Sequence, residues 1–188
     1  MIITKNELFE IIYREIKSKS RLTIAIDGRC ASGKSTMGKE LSELFDCNLF
    51  HIDDYFLLPE QRTEERLNTP GGNFDIERFS DEVLRGIASE KDFCYSPFDC
   101  SRMAVGDKIY VSKKAVNIIE GSYSCHPDIA NNYDIKVFIT TDKETQKNRI
   151  IKRNPDKAHM FFSKWIPMEE SYFSHFDIEN RCDYIIKT

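Results

Sequence analysis

No apolar run in this 188-residue chain approaches the ~20 residues that a membrane-spanning helix needs. The first residues turn polar at Thr4-Lys5-Asn6 before a signal-peptide core forms, which predicts a cytoplasmic protein with no membrane partner. A basic excess is missing too: 27 Lys and Arg stand against 31 Asp and Glu, a formal net charge of −4. That balance argues against a nucleic-acid-binding surface and leaves a small-molecule partner. The six cysteines include no Cys-x-x-Cys pair and the four histidines no His-x-x-x-His spacing. A zinc site is thereby disfavoured, and reduced thiols are the default. Internal repeats, low-complexity tracts and a second domain boundary are absent, so residues 1–188 read as one domain with room for a sizeable core. Self-association into a homo-oligomer is left open.

What is present is the run Gly28-Arg29-Cys30-Ala31-Ser32-Gly33-Lys34-Ser35, directly after a strand-like stretch from Leu22 to Asp27 and before a helical one. Small residues let successive backbone N–H groups turn inward on a polyphosphate, and the first turn of the helix adds its free donors and dipole. Gly28, Ala31, Ser32, Gly33, Lys34, Ser35 and Thr36 are the expected nucleotide-binding residues. Lys34 would reach the terminal phosphates, and the Ser35 hydroxyl would ligate magnesium. The loop predicts ATP or GTP as the bound nucleotide and phosphoryl donor. No guanine-reading Asn-Lys-x-Asp motif follows, which weighs against a GTP switch.

Periodicity predicts the surrounding elements. Thr4 and Glu7 form a capping-box pattern ahead of a helix over 5–19, followed by a strand at 22–27 and a helix at 33–44. Short apolar runs predict further strands near 48–52, 115–119, 135–139 and 184–186, with helices at 76–88 and 142–153. Residues 57–75 read as a long irregular segment, and 93–95 with 108–111 as a small hairpin. Five apolar runs separated by helical stretches imply an α/β fold, a central five-stranded parallel sheet with helices on both faces. Ligands sit at the carboxyl ends of such strands, where the phosphate loop, Asp53 and Glu120 all fall. Phosphoryl transfer needs a metal clamp and a group that prepares the attacking hydroxyl, and Asp53 and Glu120 are the candidates.

The phosphate loop, Ile52-Asp53-Asp54-Tyr55-Phe56, Asn73-Phe74-Asp75, the Tyr95 to Arg102 segment, Ile118-Ile119-Glu120-Gly121 and Arg149 to Arg153 occur in an order that resembles the uridine kinases. The wider group includes phosphoribulokinase-like, nicotinamide riboside and pantothenate kinases. The resemblance implies a three-layer P-loop NTPase fold with a small hairpin, an acceptor-site insertion at about 57–112 and a lid at about 149–165. It also implies an ATP- and magnesium-dependent kinase acting on a nucleoside-like hydroxyl, foremost the 5′-hydroxyl of uridine or cytidine. Asp53 would be the base and a metal ligand with Ser35 and Glu120. Asp75, Tyr95 and Arg102 would bind the acceptor, Arg149 with Lys34 would assist transfer, and Arg153 would hold nucleotide. Several have structural alternatives: Asp75 as a helix cap, Tyr95 as a strand aromatic, Arg149 and Arg153 as a solvated helix face.

The pattern departs from that family in three places. Cys100 stands where a base-contacting histidine is usual, the chain after Arg153 lacks the arginine-glycine-arginine lid stretch, and Lys164 replaces an amide. Acceptors other than a pyrimidine nucleoside therefore stay open, namely nicotinamide riboside, pantothenate or another small metabolite. A regulator that binds nucleotide without turning over a metabolite is the alternative from another class.

Overall fold

Alternation along the buried strands sets the layers. In the computed structural model, which describes residues 1–188, β1 (Leu22–Gly28) sends Ile24 and Ile26 to one face and Ala25 to the other. The same happens in β7 (Val116–Glu120) with Ile118 and Ile119, and in β8 (Ile135–Thr140) with Val137 and Phe138. Two hydrophobic clusters result, one on each side of the sheet. The first face is covered by α1 (Lys5–Ser18) and α2 (Lys34–Leu44), which contribute Leu8, Ile12, Met37 and Leu41. On the opposite face lie aromatic side chains such as Phe79, Tyr172 and Phe173. This is the expected α/β sandwich of helices around a parallel sheet.

With β2 (Cys47–His51) and β9 (Tyr184–Lys187), the sheet runs in the order β2-β7-β1-β8-β9, every pair parallel. Register pairs Ile26 with Glu120 and His51 with Glu120, which aligns the carboxyl ends of β1, β2 and β7. The Thr4–Glu7 capping box forms as the sequence predicts. The hairpin of β3 (Phe93–Tyr95) with β6 (Ile109–Val111) also forms, enclosing a second pair, β4 (Phe98–Asp99) with β5 (Ala104–Val105).

Three elements differ from expectation. The segment 57–75 holds a 3₁₀ turn at Pro59–Gln61 and a helix at Glu64–Asn68, capped by the Thr63 side chain. Helix 76–88 passes through a π turn at Ser80–Leu84. After the Lys143–Arg153 helix, a helical stretch from 158 to 176 contains a second π turn at Phe161–Trp165. Pro167 follows that turn within the continuous helical stretch, where it has no N–H to donate back to the preceding turn. No helix is long and apolar enough to cross a membrane.

Candidate functional site

The phosphate loop is shaped by three left-handed residues, Gly28 (φ +136°), Ala31 (φ +57°) and Gly33 (φ +104°). They fold the backbone back on itself between β1 and α2. The Lys34 ammonium lies across this curve, donating to the carbonyls of Gly28 at 2.7 Å and Arg29 at 3.0 Å. Ser35, one residue on, donates its hydroxyl to Glu120 Oε2 at 3.2 Å. Glu120 is only 4% exposed, and its other oxygen meets His51 Nδ1 at 2.5 Å. The His51 ring is held above the usual imidazole range, first by that hydrogen bond and against the effect of burial.

Asp53 sits in the 3₁₀ turn Ile52–Tyr55 that follows β2. The residue is exposed, yet protein surrounds its carboxylate closely enough that desolvation raises its pKa. Lys34 and His51 oppose the rise, while Glu120 and Glu169 add to it. One lysine thus faces several carboxylates at the ends of neighbouring strands. The residues fit magnesium: a hydroxyl and one or two carboxylates, all hard oxygen donors, leave most positions for phosphate and water. No cluster of three or more His, Cys, Asp and Glu side chains forms a complete metal cage.

Arg149 and Arg153 lie on the outer side of the loop. They line a groove of about 410 Å³ with Ala31, Ser32, Gly33 and Thr36, and Arg149 donates to the Ala31 carbonyl at 3.2 Å. That position neighbours the loop's outer backbone. Among the acceptor-side residues, Asp75 is 2% exposed. Its carboxylate caps the Ile76–Phe79 turn through Arg78 N–H and also accepts from Arg78 Nε. Tyr95 packs against Phe50 and Tyr55, near Asp54. Arg102 stands out on the β4–β5 hairpin, bonded to Asp99 and largely exposed. The structure therefore gathers the loop, Asp53 and Glu120, and leaves Asp75 engaged in a cap and Arg102 at the surface.

Several residues that the sequence did not single out organise this centre. Arg78 joins three pieces at once: it donates to Ser96 O at 2.6 Å, to Asp54 O at 3.1 Å and to Asp75, with its guanidinium over the Tyr55 ring. The turn that carries Asp53 is thereby tied to the hairpin. From the Ile166–Phe176 helix, Glu169 accepts the Cys30 N–H at 2.9 Å and the Ser122 hydroxyl at 2.7 Å. Next to it, Glu170 grips Arg29 through two hydrogen bonds. The C-terminal helix thus holds the first half of the phosphate loop. Cys30 is no nucleophile, since burial and then Glu169 push its thiol up to about 12.

Asp27, fully buried, is the hub. It accepts from Gly28 N, Tyr123 N, Cys125 N and the Tyr172 hydroxyl, and so joins the start of the loop, the turn after β7 and the C-terminal helix. In Asp27→Asn one oxygen becomes an NH₂ group facing N–H and O–H donors. Orphaning donors in this way lowers stability by about 2 kcal/mol or more, visible as a lower unfolding midpoint. The pH dependence has a definite sign. Burial pushes the Asp27 carboxyl up to about 6 despite its hydrogen bonds, above the unfolded value of about 4. Protonation therefore favours the fold, and the wild type loses stability relative to the variant as pH rises between about 4 and 6. Thermal unfolding of both proteins across that window checks it.

No family model matches the chain, and no curated protein matches it by sequence. Solved structures do match by shape. A protein from Bacillus stearothermophilus described as a possible uridine kinase is 20% identical, with 96% of this chain and 99% of that chain covered at a TM-score of 0.66. A proposed fructose transport system kinase from Silicibacter sp. TM1040 is 18% identical, with 97% and 98% covered at a TM-score of 0.71. YFH7 from Saccharomyces cerevisiae, a proposed P-loop kinase with a circular permutation, is 14% identical, with 98% and 97% covered at 0.58. At such identities the likeness is one of fold: a five-stranded parallel sheet with helices around it.

Proposed function

We propose that this protein is an ATP- and magnesium-dependent kinase that phosphorylates a hydroxyl of a nucleoside-like small molecule, with the 5′-hydroxyl of uridine or cytidine as the first candidate. The observation that carries this is the contact of the Ser35 hydroxyl with buried Glu120 beside Lys34, with Asp53 on the turn that follows the neighbouring strand β2. Magnesium bound near Ser35 and Glu120 would neutralise phosphate charge. Lys34 would exchange its two carbonyl contacts for phosphate oxygens, and the amides of Ala31 to Thr36 would hold the polyphosphate. Asp53, its basicity increased by desolvation, would take the proton of the acceptor hydroxyl. The acceptor oxygen bonds to the γ-phosphorus as the bond to the β-phosphate oxygen breaks, and ADP leaves.

Acceptor-dependent ADP release, measured across nucleosides, nicotinamide riboside, pantothenate and sugars with product identification, tests the assignment. Nucleotide binding by calorimetry without acceptor-dependent turnover would instead make the protein a nucleotide-gated regulator. Lys34→Ala should weaken nucleotide affinity and transfer together, because the same ammonium serves both. Unchanged kinetics in that variant would contradict the phosphate-loop role.

A further inference from the structure

A cavity of about 210 Å³ lies between the 67–73 segment, the turn after β7 and the Ile166–Phe176 helix. None of the site residues expected from the sequence lines it. Its walls present Asn68, Thr69 and Asn73 from the first segment, Tyr123 from the turn, and Met168 and Ser171 from the helix. No lysine, arginine, histidine, aspartate or glutamate is among the lining residues. Leu67, Pro70, Gly71 and Pro167 complete the lining, so amides and hydroxyls stand among apolar groups.

Tyr123 distinguishes this cavity from a packing gap. It is a bulky residue in a left-handed conformation, φ +80°, which L side chains adopt at a cost of roughly 1–3 kcal/mol. The strain persists because the residue is held on two sides. Its N–H reaches Asp27 at 3.2 Å, and its ring packs edge-on against Tyr172 with centroids 4.9 Å apart. The side chain is 7% exposed, yet its phenol makes no hydrogen bond within the protein. Burial raises the phenol's pKa first, and Glu169, Asp27, Asp53 and Cys30 raise it further. The phenol thus has no protein partner, yet its oxygen is not sealed off from solvent, and the residue lines the uncharged cavity. A hydroxyl that bonds only water can exchange that water for a ligand hydroxyl at little cost.

We propose that this cavity is the acceptor subsite, and that the Tyr123 hydroxyl hydrogen-bonds a neutral, polyhydroxylated part of the acceptor and places it beside Asp53. The inference rests on the kinase reading and narrows it. Amides and hydroxyls pair with hydroxyls of either polarity. A phosphate or carboxylate on the acceptor would meet no cation in the lining and would face Asp53 and Glu169. The volume is below the ~300–1,000 Å³ of pockets that enclose drug-sized ligands, and so suits a single sugar-sized ring. Acceptor recognition then belongs to the turn after β7 and the C-terminal helix, in place of the capped Asp75 and the outlying Arg102.

Two variants and an acceptor panel test this. Tyr123→Phe keeps the ring and its packing and removes only the hydroxyl. The KM for the acceptor should rise about tenfold, the equivalent of ~1.4 kcal/mol, with the KM for ATP and the unfolding midpoint unchanged. Ser171→Leu, at an exposed position on the cavity wall, should raise the acceptor KM through bulk alone. The panel sets uridine, cytidine, ribose and fructose against ribose 5-phosphate, fructose 6-phosphate and pantothenate. Turnover of neutral members, with acceptor KM raised in both variants, supports the proposal. Turnover confined to the anionic members, or an acceptor KM unmoved by Tyr123→Phe, overturns it and leaves the kinase reading standing. If no member releases ADP and none binds the ATP-loaded protein by calorimetry, both are overturned.

Discussion

Asp53→Asn should abolish nearly all of the proposed phosphoryl transfer while nucleotide binding survives. Asparagine keeps the shape of the side chain and one oxygen able to approach a metal, but it cannot accept a proton from the attacking hydroxyl. Loss of a positioned base lowers kcat by about 10²–10⁴-fold. The Kd for MgATP should move by less than about tenfold, or ~1.4 kcal/mol, because on the proposed reading most phosphate contacts would come from the loop amides and Lys34. Steady-state ADP release with the preferred acceptor, alongside calorimetric titration of MgATP, separates the two quantities. Undiminished turnover would remove Asp53 from the role of base. A parallel collapse of binding and turnover would mean that its chief task is to hold the metal.

The asymmetry between Asp53 and Asp54 is set by the chain around them. Both follow β2 in one 3₁₀ turn, but Arg78 bonds the carbonyl of Asp54 and fixes the turn to the hairpin and to Asp75. Asp54 faces Tyr95 and Arg78, whereas Asp53 faces Lys34, Glu120 and Glu169. Alternation along the strand hints at this difference. Only the half-buried guanidinium of Arg78 explains why a short turn holds it.

Elements whose signals are local were legible in the sequence. A parallel strand covered on both faces must be apolar along its length, which is why β1, β7 and β8 stand out as runs. The phosphate loop stands out because its glycines sit at positions that side chains tolerate poorly. Strand order was not legible, since β2 and β9 reach their places through pairing with residues far away in the chain. The helical stretch 158–176 was hidden by a π turn and by Pro167, which interrupt the 3.6-residue period. Glu169 carries no motif of its own. Its importance comes from Cys30, 139 residues earlier, whose N–H it accepts. Tyr123 is equally silent in sequence, because the left-handed backbone that marks it depends on the Asp27 contact.

The two glycines of the loop look equivalent in the motif and should fail for different reasons. Gly28 is paired with Ile139 at the end of β1, and a Cβ there would stand 1.9 Å from the Ile139 carbonyl oxygen, in a backbone at φ +136°. That oxygen belongs to a central strand and has little freedom to move. Gly28→Ala should therefore separate β1 from β8, lowering stability by about 3 kcal/mol or more and the yield of folded protein with it. Displacing residue 28 also disturbs the carbonyl that accepts from Lys34 and from Ser122. At Gly33 an added Cβ would meet nothing within 4 Å, and only the left-handed conformation at φ +104° resists substitution. Gly33→Ala should cost roughly 1–2 kcal/mol and leave the sheet intact. Its effect should fall on the proposed nucleotide affinity, because relaxing φ at residue 33 would turn the amides that begin α2 away from the phosphates. Thermal unfolding and MgATP titration of the two variants give the comparison: a stability defect foremost in the first, a binding defect foremost in the second. The reverse order would mean that the close approach of β1 to β8 does not govern the loop.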